Sequence, residues 1–207
     1  MDNPNQISRH RASASSRLSP LGAKLFKFVE FDDNEEFLIE IRKHPIGAII
    51  IGGTGVTIAL IIAIAATLIA RNFDSFELTA AGGGATTRAL LLVGGLILSL
   101  LALGATALSV VVYQSNVIYV TNQKIAEVAY LSVFNRKVTQ LGLSHIENVT
   151  FHQDGIFPHL FNYGNIVIET ASELENTSFT YVPSPNFYSQ KIIQAHEDYL
   201  DSHNNEV

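Results

Sequence analysis

Two long stretches of the chain carry no charged residue: Ile46 to Ala70 and Ala89 to Tyr113, each 25 residues drawn mostly from Ile, Leu, Val, Ala and Gly. As helices rising ~1.5 Å per residue, each would reach about 37 Å, enough to cross a hydrocarbon layer of roughly 30 Å with some tilt. Two membrane-crossing helices, 46–70 and 89–113, are therefore the first elements expected. A cleaved secretory signal accounts poorly for the first run. Some 45 mostly polar residues precede it, and it is longer than the usual apolar region of about 7–15 residues.

Orientation follows from the basic residues. Seven Lys and Arg precede the first run, two (Arg71 and Arg88) lie between the runs, and four follow the second. An excess of Lys and Arg marks the cytoplasmic side. The expectation is a multi-pass protein of the cell membrane with both termini in the cytoplasm and the 71–88 loop outside. That loop, NFDSFELTAAGGGATT between its two arginines, is too rich in Gly and Thr to build a site and reads as a connector with Phe73 and Phe76 at the interface.

Neither run contains Asp, Glu, Lys, Arg or His, so an ion path or proton relay has no visible carrier. The Gly-rich IIIGGTGVT fails the dinucleotide spacing and lacks the lysine of a phosphate loop. Small residues recur instead as stripes: Gly55, Ala59, Ala63 and Thr67 in the first run, and Gly95, Ser99, Ala102, Thr106 and Ser109 in the second. Such stripes let helix backbones approach closely where lipid supplies no hydrophobic drive.

The flanking sequence divides in turn. Residues 1–27 hold five basic residues against one acidic, in a Ser-, Asn- and Arg-rich context, and are expected to form a disordered basic tail. Residues 28–45 form a juxtamembrane segment in which Phe37, Ile39 and Ile41 alternate with Glu36, Leu38 and Glu40, and this segment is expected to be ordered and to touch the cytoplasmic domain. From 114 to 201 the pattern becomes short runs rich in β-branched and aromatic residues (NVIYVT, KIAEVAYL, KVTQLGL, IENVTFH, NIVIETA, TSFTYVP), with turn signals between them. A closing helix starts at Ser184-Pro185 and places Tyr188, Ile192, His196 and Tyr199 on one face. The last residues, 202–207, read as a tail.

Two helices followed by a strand meander and a terminal helix resemble the membrane-anchored bacterial pleckstrin-homology (PH) domain family. The resemblance is carried by RKHPI before the first run, VIYVTNQKI, LSHIENVTFHQDGIFPHLFNYGNIVIET and VPSPNFYSQKI, and covers about Glu35 to Ala195. It implies an α+β membrane protein in which a two-helix transmembrane hairpin is followed by a small PH-like β-barrel or sheet capped by a C-terminal helix. It implies no enzyme activity. One departure is Pro158-His159 between Phe157 and Leu160, where the family often carries a basic residue.

Candidate chemistry is sparse. His145, His152 and His159 stand seven apart beside Glu147 and Asp154, but residues seven apart on a strand face opposite ways, so surface histidines are the simpler reading. No Cys is present, no nucleophile elbow appears, and no paired carboxylates stand in a catalytic pattern. Catalytic, cofactor and metal residues are therefore expected to be none. After Gln114 the chain has four basic residues against ten acidic, the reverse of a nucleic-acid footprint.

Candidate partner or membrane contacts are Arg136 and Lys137 at a hairpin turn, and Phe157, His159 and Phe161 in the aromatic segment. The aromatic segment is expected to fill one end of the barrel, with Gly155 and Gly164 bracketing it. The expected function is a non-catalytic, membrane-tethered binding or scaffold module, integral to the lipid bilayer, that meets a protein partner or forms homo-oligomers. Inner-leaflet lipid sensing or envelope maintenance is the alternative. A role as accessory subunit of a membrane enzyme or transporter is the third reading.

Overall fold

The computed structural model describes residues 18–26, 29, 35–72, 84–170 and 176–204. It divides into a β-domain assembled from both ends of the chain, Met1–Gly47 with Val112–Val207, and a helical pair, Ala48–Val111. In chain order the elements are α1 (Pro20–Phe26), β1 (Phe37–Arg42), α2 (Pro45–Asn72), α3 (Gly84–Gln114), β2 (Val117–Thr121), β3 (Lys124–Tyr130), β4 (Arg136–Gly142), β5 (Ile146–His152), α4 (Ile156–Phe161), β6 (Tyr163–Thr170), β7 (Thr177–Pro183) and α5 (Pro185–Asn204). Residues 73–83, most of the expected external loop, lie outside the described residues, as do 1–17 of the expected tail and 205–207.

The β-domain has two antiparallel sheets, β1-β2-β3-β4 and β5-β6-β7. They do not close into a barrel, which corrects one of the two forms expected. The 3-10 turn Leu143–His145 carries the chain from one sheet to the other. At the remaining seam, β1 and β7 meet at a corner where the His44 N–H donates to the Tyr181 carbonyl at 2.6 Å. Helix α5 packs against the 3-10 turn and against β2, β5 and β6, touching both sheets. Its Ile192 and Ala195 are buried with Ile41, Ile118, Ile125, Leu143, Ile166, Ile168, Phe179 and Val182, each large apolar side chain contributing roughly 1.5–3 kcal/mol by leaving water. Tyr188 and Tyr199 pack at the margin, and His196 Nδ1 sits 2.8 Å from the Leu143 carbonyl. This is the helix face expected from the sequence.

Every residue of β2 is buried because the first sheet is covered on both sides. Ile118 and Val120 face the core just described, whereas Val117 and Tyr119 join Ala126, Val128, Leu25, Phe26 and Val29 on the other face. Helix α1 supplies that second cover. The expectation of a disordered tail through residue 27 is thus corrected at its end: Ser19 and Pro20 start a helix whose Leu25 and Phe26 are apolar enough to be worth burying. Ser19 Oγ accepts the Gly22 N–H at 3.0 Å, as an N-cap does, and the Ser19 N–H donates to Glu40 of β1 at 2.8 Å. The Tyr119 hydroxyl donates to the Gly22 carbonyl at 2.6 Å. Burial, with the Glu40 charge adding to it, pushes that phenol up, so it remains a donor.

The juxtamembrane segment is part of the sheet. β1 pairs with β2 in the register Arg42↔Val117 and Ile41↔Ile118, with an irregularity between Phe37 and Ile39. That slip sends Ile39 and Ile41 to one core and Phe37 to the other. At the far end of the sheet, Glu35 pairs with Lys124 at 3.0 Å and accepts from the Thr121 hydroxyl at 2.6 Å.

Helices α2 and α3 are long and apolar enough to cross a membrane. Their seam uses the small residues: Gly55 abuts Thr106, Gly95 abuts Ala66, and the buried Ser99 donates to the carbonyls of Gly95 and Ala59. The first stripe runs through Ala66, and the expected Thr67 is exposed. Steps of four overshoot the 3.6-residue turn, whereas the eleven residues from Gly55 to Ala66 make about three whole turns. Thr67 instead bonds the Ala63 carbonyl of its own helix.

Candidate functional site

The first residues of α2, through Gly47, and the last of α3, from Val112, belong to the β-domain, and the end of the domain that holds them is aromatic. His44, the residue before α2, stacks on Tyr163 with ring centres 5.4 Å apart. Tyr163 stacks on Tyr181 at 5.7 Å, and Tyr181 meets Tyr113 edge-on at 6.0 Å. Tyr113, next to last in α3, donates its hydroxyl to the His44 carbonyl at 2.8 Å, and Lys43 Nζ lies 5.6 Å from the Tyr113 ring centre. Tyr181 holds a left-handed backbone (φ 57°), a strained state for a bulky residue, pinned by its N–H to Asn165 Oδ1 at 3.2 Å and by its carbonyl to the His44 N–H. This collar ties the roots of α2 and α3 to β6 and β7.

His44 also caps α2. Pro45 opens the helix without an N–H, and the Ile46 N–H donates to His44 Nδ1 at 3.1 Å, which requires the neutral imidazole. Burial lowers the His44 pKa. A depressed folded-state pKa gives stability that is present above the unfolded imidazole value of about 6.5 and lost as pH falls through the folded value beneath it. We expect detergent-solubilised chain to melt progressively earlier below that value and His44→Gln to lose less on acidification; equal losses would contradict the cap. Nearby, burial lowers the Lys43 pKa against the pull of Glu127, and burial raises the Glu127 pKa against the pull of Lys43 and Lys137.

The five candidate contacts are distributed over two protrusions. Arg136 and Lys137 are exposed at the start of β4, just after the turn that exposes Leu131, Val133 and Phe134. Phe157 and Phe161 are exposed on α4 and stack on each other at 6.4 Å, while His159 Nδ1 lies 2.8 Å from the Gly155 carbonyl. The expectation that Phe157, Leu160 and Phe161 fill the domain is overturned: α4 buries none of its residues, because Ile166, Ile168, Phe179 and α5 already occupy the core. The bracketing glycines have separate reasons. Gly155 takes φ 100°, open to glycine, and a Cβ on Gly164 would collide with the His152 carbonyl. Sequence reasoning passed over Leu131, Val133 and Phe134; three apolar residues in a turn were the available signal.

A second feature is a groove of about 430 Å³ between β1 and α5, lined by Leu38, Ile39, Phe187 and Ala195, with Lys191 and Asp198 as its charged members. Strand β1 is the edge of its sheet. No group of three or more His, Asp or Glu converges as a metal site among the described residues.

A sheet of four, a sheet of three and a closing helix are the parts of a PH-like fold, and a model of the bacterial PH domain matches residues 36–194. The chain belongs to the bacterial PH domain family. The match begins at the threshold of β1 and runs into α5, so the two apolar helices fall within the matched residues, between β1 and β2. No curated protein and no solved structure matches the chain.

Proposed function

We propose that this chain is a membrane-anchored, non-catalytic binding module whose PH domain receives an extended segment of a protein partner along β1. The observation that carries the reading is the edge position of β1 beside the apolar groove. An edge strand offers backbone groups for strand addition, and an adjoining groove gives alternate side chains of the added strand a place to sit. Anchoring is supported by the length and apolarity of α2 and α3, and an orientation with both termini in the cytoplasm by the seven, two, four distribution of basic residues.

The test takes two arms in intact cells. In a chain without native cysteine, Cys at Ser75 reacts with an impermeant thiol reagent and Cys at Ser202 does not; the reverse pattern defeats the orientation. A photocrosslinking residue at Leu38 or Phe187 gives one discrete protein adduct, and the same residue at the exposed Gln140 of β4 gives none. An adduct at twice the mass of the chain identifies self-assembly, and no adduct at either groove position defeats the reading.

A further inference from the structure

We propose that the end of the β-domain from which both apolar helices emerge is seated in the lipid–water interface, with α4 and the β3–β4 turn entering the acyl boundary as two apolar wedges. This rests on the membrane anchoring proposed above and is independent of the groove.

Strand register places both protrusions at that end. Arg42 pairs with Val117 and Val117 with Val128, so β3 runs back toward the helix roots. Its last residue, Tyr130, donates its N–H to Asn116 Oδ1 at 2.6 Å, two residues beyond α3. The turn that follows exposes Leu131 by 65%, Val133 by 48% and Phe134 by 99%. In the other sheet, Tyr163 is stacked on His44, and Phe161 lies two residues before it, within about 7 Å along the chain. Helix α4 exposes Ile156 by 82%, Phe157 by 65% and Leu160 by 70%. The turns at the opposite end are polar: Asn122 and Gln123 link β2 to β3, and Ser144 and His145 are exposed between β4 and β5.

Charge is polarised in the same sense. Arg42, Lys43, Arg136 and Lys137 cluster at the root end. Glu147 and Glu169 lie toward the opposite ends of β5 and β6, and Glu197, Asp198 and Asp201 occupy the far half of α5. Asp154, beside α4, and the partly buried Glu127 are acidic exceptions. An acidic domain thus presents its basic and apolar end toward the roots, the arrangement an anionic inner leaflet attracts. Tyrosines at the level of the roots match the belt aromatic residues form at membrane interfaces. The occupant these features select is lipid, met by shallow apolar insertion to about 5–10 Å.

The chain contains no Trp, so single replacements report separately. Full-length chain carrying Phe134→Trp, Leu160→Trp or the far-end control Ser144→Trp is reconstituted into phosphatidylcholine–phosphatidylglycerol vesicles brominated near the headgroup end of the acyl chains, and the mid-α3 reference Leu101→Trp into the same lipids brominated near the acyl-chain ends. All four positions are exposed, so the core is untouched. Phe134→Trp and Leu160→Trp should lose about half of their emission to the brominated lipid, as residues inserted at the acyl boundary would, and Ser144→Trp about a tenth or less. Tip reporters that behave like Ser144→Trp while Leu101→Trp is quenched overturn the wedges and leave the anchoring standing. An unquenched Leu101→Trp overturns the anchoring and the wedges with it. Tip reporters untouched by brominated lipid but increasingly shielded from iodide as chain density rises would identify a second copy as the occupant and also overturn the proposal.

Discussion

Phe179→Ala should cost the β-domain about 3–5 kcal/mol, the range for removing a buried aromatic ring, while Phe161→Ala should stay within about 0.5 kcal/mol of wild type. Both are phenylalanines of the second sheet's neighbourhood, but Phe179 is 2% exposed in the main core and Phe161 is 44% exposed on α4. Against a typical total of roughly 5–15 kcal/mol, the first loss brings the domain close to unfolding. Near-ultraviolet circular dichroism melts of the full chain in detergent measure the contrast. Equal, large losses would mean that α4 is core after all, and would remove the grounds for treating it as a contact surface.

The second large effect belongs to the helical pair. Gly95→Leu should destabilise the packing of α2 against α3 by about 1–3 kcal/mol, the usual cost of overfilling a tight contact, because a Cβ there meets that of Ala66, which cannot swing aside. Gly94→Leu should do little, since nothing lies within 4 Å of its added Cβ. Unfolding titrations in sodium dodecyl sulfate separate the two neighbours. Identical curves would mean that the small residues reflect composition and form no seam.

The strands and closing helix were legible because each has a clean local signature: six short β-type runs between turn signals, and Ser184-Pro185 ahead of a 3.6-residue apolar period. The Ser184 hydroxyl accepts from Asn162 Nδ2 at 3.0 Å. The aromatic segment misled because apolar composition alone does not say which side of a surface a residue takes; the core was already filled by residues distant in sequence. Helix α1 was hidden by averaging, its Ser19-Pro20 start and Leu25-Phe26 face diluted by the polar residues before them. The role of β1 was half legible. Its alternation was visible, but its pairing with a strand 75 residues later depends on a contact that no local pattern carries.

That pairing orders the protein's biogenesis. Because β1 leaves the ribosome before α2 and α3, and β2 only after both, the anchoring proposed above would keep the first sheet incomplete until the helical hairpin had been threaded and its second end returned to the side where β1 waits. A chain that integrates one helix and fails to integrate the other leaves β1 and β2 on opposite faces of the bilayer, unable to zip together. The long closure between them makes this step slow relative to local structure, so under that anchoring the folded domain would itself be a receipt for completed two-pass insertion. It also follows that a fragment starting at Gln114 lacks an integral strand and leaves one edge of β2 without its partner.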